Sequence, residues 1–247
     1  MQLEGNIFKM RTELATPVKY FLQVGEKEIP MNDFIGKKIS MNFSGQINCI
    51  SCGKKTKTSF HQGFCYNCLQ TAPQAAESVI RPELSKSHFG IARDMEWAKK
   101  HDLINHFVYL AVSSDVKVGV TRNHQIPTRW IDQGAHEAIE IVEVPNRYLA
   151  GITEVALKDY VGDKTNWRTM LKNDIVDENL VEWRERLKQH IPDEAQDYYI
   201  ASNTETNIDF PVKKYPVKPK SLNIIKDQMY TGKLTGIKGN KQFLAIN

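Results

Sequence analysis

Long apolar runs are absent from this sequence of 247 residues. No run approaches the ~20 consecutive apolar residues that a membrane-spanning helix needs, and the opening residues MQLEGNIFKMRTEL lack the apolar core of a secretory signal peptide. We therefore expect a cytoplasmic protein without a membrane partner. The formal net charge of +4 is too small to imply a nucleic-acid partner by itself. No P-loop, dinucleotide-binding glycine fingerprint or serine nucleophile elbow is evident either.

Cysteine is also scarce, and all four residues fall in one cluster. The cluster consists of two CxxC pairs separated by twelve residues, Cys49 with Cys52 and Cys65 with Cys68. This spacing predicts one zinc ion bound by four thiolates, with Gly53 and Asn67 allowing the turns to close around sulfur. Because four thiolates leave no open coordination position, we expect the zinc to be structural. Disulfides or free thiols are the less favoured alternatives in a reducing cytoplasm, and His61 is interpreted as a surface residue.

Basic and aromatic residues accompany the cysteines. Three lysines lie between the two pairs, and three aromatic residues lie close to them in the sequence: Lys54, Lys55, Lys57, Phe60, Phe64 and Tyr66. Lysines interleaved with aromatic rings on a zinc module are suited to contacts with the phosphates and bases of DNA or RNA. A solvated loop whose aromatic residues pack around the metal fits the same pattern.

Two short runs rich in β-branched and aromatic residues, Phe107–Val112 and Val116–Thr121, predict a β-hairpin. Pairing the last residue of the first run with the first residue of the second places Tyr109 opposite Gly119. Because side chains alternate along a strand, Tyr109 and Lys117 share one face while the valines share the other. We expect the valine face to be core and the face with the phenol and the ammonium to be open to solvent.

The elements after the hairpin are predicted to be a helix carrying Arg129, a strand over Ala138–Val144 and a second helix over Arg147–Tyr160. Asn146 is the expected cap of the second helix. A 3.6-residue period gives that helix a buried stripe of Leu149, Ile152, Ala156 and Tyr160. Glu154 lies off the stripe, on the flank.

This order of elements, with the residues on them, resembles the GIY-YIG nuclease domain. Phe107-Val108-Tyr109 stands where that family has Gly-Ile-Tyr, and Lys117-Val118-Gly119 where it has Tyr-Ile-Gly. Arg129 matches the arginine on the family's first helix, Glu154 its metal-binding glutamate and Asn166 its late asparagine. The order of these matches carries more weight than any one of them.

Three positions depart from the family pattern. Phe107 replaces the first glycine, Lys117 replaces the second tyrosine, and Gln133 stands where the family has histidine or tyrosine. The segments KVGVTR, TRWIDQGA and DKTNWRTML are also similar to an uncharacterised bacterial family that joins a four-cysteine zinc ribbon to a domain of this kind.

The resemblance implies a metal-dependent nuclease or phosphodiesterase that acts on nucleic acid. Glu154 would bind a catalytic Mg²⁺, which needs only one or two carboxylates, and Arg129 would bind a phosphate oxygen. Tyr109 would orient or deprotonate water, with Lys117 lowering its pKa. Asn166 would brace the backbone near the metal.

Each of these residues also has a structural interpretation. Glu154 is four residues before Lys158, the favourable orientation for an ion pair on a helix surface. Arg129 can stack on Trp130, and Asn166 can cap the helix that follows it. The alternative to catalysis is a non-catalytic nucleic-acid-binding protein with a zinc ribbon and a degenerate nuclease fold. A protein-interaction module with zinc used only for folding is a third reading.

The predicted fold class is α+β: a β-rich scaffold with an inserted zinc ribbon and a GIY-YIG-like three-stranded sheet with flanking helices. The two ends of the chain are similar in composition, and we expect them to pack in one β unit. A helix over Val176–His190 should bury Leu180, Trp183 and Leu187 and expose Arg184. The expected boundaries are a β-rich segment at 1–48, the zinc ribbon at 49–70, a connector at 71–104, the GIY-YIG-like domain at 105–173, a helix at 174–192 and a C-terminal β segment at 193–247.

Overall fold

The computed structural model describes residues 1–61, 63–162 and 166–245, with side chains up to residue 241. Asp163, Lys164 and Thr165, part of the segment that carries the resemblance around Asn166, lie outside the described residues. The fold is mixed α+β with several small sheets. No helix within the described ranges has the length and apolarity needed to cross a bilayer.

The chain consists of short strands and short helices. The strands are β1 Arg11–Glu13, β2 Lys19–Val24, β3 Lys27–Pro30, β4 Lys38–Asn42, β5 Ile47–Asn48, β6 Lys55–Thr56, β7 His106–Val112, β8 Val116–Arg122, β9 Glu137–Val144, β10 Thr206–Asn207, β11 Met229–Lys238 and β12 Lys241–Ala245. The helices are α1 Tyr66–Thr71, α2 Met95–His101, α3 Thr128–Asp132, α4 Arg147–Leu157, α5 Trp167–Lys172, α6 Leu180–Leu187, α7 Asp193–Gln196 and α8 Ile224–Asp227.

The central sheet is antiparallel, with its strands in the order β10-β9-β7-β8. The predicted hairpin is confirmed together with its register, since Val112 pairs with Val116 and Tyr109 with Gly119. The strand β9 pairs with the other edge of β7, so β7 lies inside the sheet. The three predicted strands are therefore present, and the two-residue β10 adds a fourth at the edge.

Both faces of the central sheet are buried. The valine face packs against α4 and α6 in a core that includes Val108, Val118, Leu157 and Leu180. The opposite face packs against α3 and against strands from both ends of the chain, in a second core that includes Tyr20, Tyr109, Ala111, Trp130, Ile131 and Leu234. The expectation that this second face is open to solvent is wrong, because the terminal segments fold over it.

The two ends of the chain share a sheet. The strand β11 pairs with β12 on one side and with β4 on the other, both antiparallel. The hydroxyl groups of Ser40 and Thr231 form a hydrogen bond of 2.8 Å across the β4–β11 pair. The Val18 amide, just before β2, donates to the Asp209 carbonyl at 2.8 Å. A β scaffold made from both termini thus covers the second face of the central sheet.

The segment before β7 is a connector of short 3-10 turns and α2 that packs along α4. Gly151 of α4 makes a close approach, since a Cβ at this position would lie 2.1 Å from the Glu83 backbone nitrogen. One turn earlier, the Arg147 guanidinium donates to the backbone carbonyls of Ser78 and Val79, each at 2.7 Å. Backbone contacts and one buried guanidinium therefore hold the connector to α4.

The buried face of α4 differs from the predicted stripe. Ala150, Gly151, Thr153 and Leu157 are buried, whereas Tyr160 is exposed beyond the end of the helix. The reason is that α4 packs on two sides, against the central sheet and against the connector. Gly151 is buried on the connector side, where the apolar period predicted no contact, and the Thr153 hydroxyl donates to the Leu149 carbonyl at 2.8 Å. Asn146 caps the helix as predicted, accepting from the Leu149 amide at 3.0 Å.

Arg184 of α6 is buried rather than solvated. Its guanidinium donates to the Ser202 carbonyl and, at 2.6 Å, to Asn203 Oδ1. Because the chain after α7 passes over α6 and supplies these acceptors, the charge can leave water. The expectation of an exposed Arg184 is therefore wrong.

Replacing Gly151 by alanine tests the docking of the connector on α4. Alanine favours a helix over glycine by about 1 kcal/mol, but the added Cβ would collide with the Glu83 backbone. We expect a net loss of about 1–3 kcal/mol in the free energy of unfolding, measured by urea denaturation. Gly162→Ala is the matched control, because its nearest atom would be 3.9 Å away. Equal stability of the two variants would contradict the docking.

Candidate functional site

The four cysteines converge in the zinc module. Their sulfur atoms lie within 4.8 Å of one another, and they form the only group of three or more metal-binding side chains in the part of the chain that the structure describes. The first pair lies at the β5–β6 turn, where Gly53 has φ +70° as that tight turn requires. The second pair begins α1, where Cys65 Sγ accepts from the Cys68 amide at 3.5 Å. His61 is exposed and contributes no ligand to the cluster.

The environments of the Cys49 and Cys68 thiols move their pKa values in opposite directions. Burial raises the pKa of the Cys49 thiol, but the backbone amides of Cys65, Cys52 and Ser51 together lower it to about 6. Hydrogen bonding to Cys65, together with burial, raises the pKa of the Cys68 thiol to about 12. The protein alone thus favours a thiolate at one sulfur and disfavours it at another. A zinc ion removes this conflict because it deprotonates each thiol that coordinates it.

Lys54, Lys55 and Lys57 are all exposed on the zinc module. Of the neighbouring aromatic residues, Phe64 is buried with the cysteines whereas Tyr66 is 65% exposed. One ring therefore packs around the metal-binding sulfurs. The module still presents three ammonium groups and an aromatic ring to solvent.

Tyr109 lies at the floor of a second candidate site. Its side chain is completely buried, and its hydroxyl donates to Gln133 Oε1 at 2.9 Å. The ring lies across Gly119, where a Cβ would be 2.7 Å from the hydroxyl oxygen, and Trp130 packs edge-on at 6.0 Å. Burial raises the pKa of Tyr109, so the expectation that Lys117 lowers this pKa is wrong. Tyr109 is a neutral phenol that holds Gln133 in place, and it is poorly suited to deprotonate water.

Arg129 and Glu154 meet Tyr109 at this site. After burial, the main influence on the pKa of Tyr109 is the adjacent Arg129 guanidinium, which lowers it, and the Glu154 carboxylate is close enough to raise it. Arg129 is exposed and Glu154 is half-buried. A guanidinium from α3 and a carboxylate from α4, both more exposed than the phenol, thus lie close enough to Tyr109 to influence its pKa.

Lys117 on β8 belongs to the same cluster. Its side chain is buried, and burial, with a smaller effect of the Arg129 cation, lowers the pKa of Lys117 to about 7. A lysine that titrates near neutrality is partly an uncharged amine, which can accept a proton. In this cluster the candidate base is therefore the amine and not the phenol.

Asn166 has a helix-capping role. Its Oδ1 accepts from the backbone amides of Arg168 at 3.1 Å and Thr169 at 3.3 Å, at the start of α5. This is the structural interpretation that the sequence left open. The structure thus brings four of the five predicted residues together, Tyr109, Lys117, Arg129 and Glu154, and uses the fifth at a helix start.

Gln133 is a member of the cluster that the sequence did not identify. It follows Arg129 by four residues, and positions i and i+4 lie on one face of a helix. That spacing was the available signal. The resemblance gives Gln133 no role, because glutamine does not match the histidine or tyrosine of the GIY-YIG pattern.

Removing one thiolate tests the metal assignment. We expect the wild-type chain to bind about one zinc ion tightly and Cys49→Ser to bind close to none, because a serine hydroxyl is a poor zinc ligand. His61→Ala is the matched control and should keep its ion. Elemental analysis of purified protein, before and after a chelator, measures the ratio. Folded wild-type protein that takes up no zinc would rule the site out.

The depressed pKa of Lys117 predicts a pH dependence of stability. In the unfolded chain a lysine keeps its proton up to about pH 10.4, whereas folded Lys117 loses it near pH 7. Between these values the folded state binds fewer protons, so stability rises with pH, by at most about 1.4 kcal/mol per pH unit for one group. Lys117→Met should flatten part of this rise in urea denaturation at pH 7, 8 and 9. The exposed Lys158→Met control should not, and parallel curves for all three proteins would contradict the prediction.

Comparison with known proteins places the chain in a family. It matches over residues 36–247 the model of a family of proteins of unknown function, DUF2797. Because that match covers most of the sequence, the chain belongs to this family. A comparison with curated proteins and a comparison with solved structures each found no match.

Proposed function

We propose that this member of the DUF2797 family is a metal-dependent nuclease or phosphodiesterase that acts on nucleic acid through a GIY-YIG-like site. The observation that supports it best is the convergence of a phenol, a guanidinium and a carboxylate from β7, α3 and α4. The order of these residues along the chain resembles the order in GIY-YIG nucleases. A shared site requires that they also lie close together in space.

Each residue of the cluster would have a separate role in phosphodiester hydrolysis. Glu154 is the group that would hold Mg²⁺, which keeps most of its waters when only one carboxylate binds it. The ion would supply charge neutralisation for the phosphate and a more acidic water. The exposed Arg129 guanidinium would donate hydrogen bonds to a non-bridging phosphate oxygen.

Lys117 is the proposed base. Its uncharged amine would take a proton from the water that attacks phosphorus, while the bond from phosphorus to the leaving oxygen breaks. Tyr109 acts through Gln133 and through its packing under the cluster, so it is a positioning residue. The three lysines of the zinc module would bind the phosphate backbone away from the reacting bond.

A second candidate function is nucleic-acid binding without turnover. The burial of both Tyr109 and Lys117 favours it, because neither the phenol, whose hydroxyl donates to Gln133, nor the amine is open to solvent. Lys117 in place of the family's second tyrosine favours it too. On this alternative the lysines and Arg129 would bind phosphates, and no bond would be cleaved.

Glu154→Gln separates the two functions. The amide keeps the size of the side chain but loses the charge that binds Mg²⁺, so we expect cleavage of single- and double-stranded oligonucleotides to fall by at least about 10³-fold. Nucleic-acid affinity, measured in the absence of Mg²⁺, should stay within a few-fold of wild type. The exposed Glu182→Gln variant is the control for loss of one carboxylate. Binding without Mg²⁺-dependent cleavage in the wild type would favour the second candidate.

A further inference from the structure

Positive charge is concentrated in the last part of the chain. Between residues 211 and 241 the sequence has eight lysines and a single carboxylate, Asp227. This segment has a formal net charge of +7, and the rest of the chain amounts to −3, since the whole carries +4. Seven of the eight lysines are exposed, and only Lys238 is buried. One part of the fold therefore has a strongly positive surface, which the small overall charge does not reveal.

The sheet of β4, β11 and β12 places two cations directly opposite each other. Lys38 on β4 pairs with Lys233 on β11, and both side chains are exposed. Ser40 and Thr231 form the pair two residues away and lie on the same face, because side chains alternate along a strand. Opposed Cβ atoms in such a pair are about 4.5–5.5 Å apart. Both ammonium groups can therefore reach one anion.

No carboxylate compensates the two lysines. Of the ion pairs between residues that the structure describes, none includes Lys38 or Lys233. Just beyond them along β11, the Lys214 backbone amide donates to the Thr235 carbonyl at 3.3 Å, and the Lys214 side chain is exposed. Like charges directly opposite on paired strands destabilise a sheet. A bound polyanion would remove this repulsion.

We propose that the face of the β4–β11 pair that carries Lys38 and Lys233 binds the phosphate backbone of a nucleic-acid strand. Each ammonium would donate to phosphate oxygens and displace a counterion from the strand. Ser40 and Thr231 share one hydrogen bond of 2.8 Å, which uses only one of their two hydroxyl hydrogens. The other can be donated to a phosphate. Contacts of this kind position a strand without reading its bases, so we expect binding to be independent of sequence.

The strand β11 ends beside the helix of the candidate site. From Lys233 to Lys238 it rises about 17 Å, which is about the rise of five phosphates along one strand of DNA. The turn that follows contacts α3, where the Asn240 amide donates to the Asp132 carbonyl at 3.1 Å. Burial raises the pKa of Asp132, and one of the cations that lower it is Arg129, one turn earlier on α3. The basic face therefore points along β11 toward α3.

This alignment favours nucleic acid over an anionic bilayer, the other polyanion that lysines attract. A strand that followed β11 would approach the guanidinium to which the proposed function assigns a phosphate. The alignment is the part of the inference that rests on the proposed function. The excess of positive charge and the opposed lysines do not depend on it.

The double variant Lys38→Gln with Lys233→Gln tests the proposal in the full chain. It removes a like-charge contact, so in urea denaturation it should be at least as stable as the wild type. Affinity for an oligothymidine and for a mixed-sequence strand of equal length is measured without Mg²⁺ at increasing salt. The slope of log affinity against log salt should become shallower by about 2 on both strands, one for each lost phosphate contact. Lys27→Gln with Lys100→Gln, two exposed lysines elsewhere, is the matched control and should keep the wild-type slope.

An unchanged slope in the double variant, or a wild type that binds neither strand, would overturn the proposal. Vesicles of phosphatidylserine and phosphatidylcholine are titrated in parallel. Binding of these vesicles that is lost in the double variant, without binding of the strands, would assign the face to a membrane and overturn the proposal as well. Because no cleavage is measured, failure of the nuclease proposal would leave a positive result standing. Cleavage together with an unchanged slope would refute this face alone.

Discussion

The contact of the Tyr109 ring with Gly119 sets the geometry of the cluster. The ring lies flat across β8 only because residue 119 has no side chain, since a Cβ would come within 2.7 Å of the hydroxyl. With the ring in this position its hydroxyl reaches Gln133 and its edge packs on Trp130, which fixes α3 against the sheet. Arg129 is carried by the same helix. The position of the Arg129 guanidinium therefore depends on the absence of a side chain at Gly119 on β8.

Burial of the sheet face that carries Tyr109 and Lys117 determines the protonation states of these two residues. Strands from both termini pack over Tyr109, and Lys117, which pairs with Gly162, is buried as well. Desolvation moves their pKa values in opposite directions, upward for the phenol and downward for the ammonium. Burial thus keeps the tyrosine protonated near neutral pH and brings the pKa of the lysine to about 7.

The helix α4 links the parts of the molecule. It carries Glu154, accepts the connector against Gly151, and through Arg147 binds the connector's backbone carbonyls. The connector is joined in turn to the zinc module by Arg93, which donates to the carbonyls of Leu69 and Ala72 at the end of α1. The guanidinium groups of Arg93 and Arg147, each bound to backbone carbonyls, therefore connect the cysteine cluster to α4 through the connector. A zinc ion bound by the four cysteines would stabilise a short module that has a small core of its own, and this chain of contacts orients the module.

The sequence by itself determined the features that depend on neighbours along the chain. The two CxxC pairs converge, the hairpin has the register that Val112 and Val116 predicted, and Asn146 caps α4. Local spacing and side-chain alternation are sufficient for these. Only the tertiary structure decided which faces meet water: the burial of Tyr109, Lys117 and Arg184, and the contact at Gly151. Each of these results from segments distant in sequence that pack over a surface, and no periodicity within either segment encodes that contact.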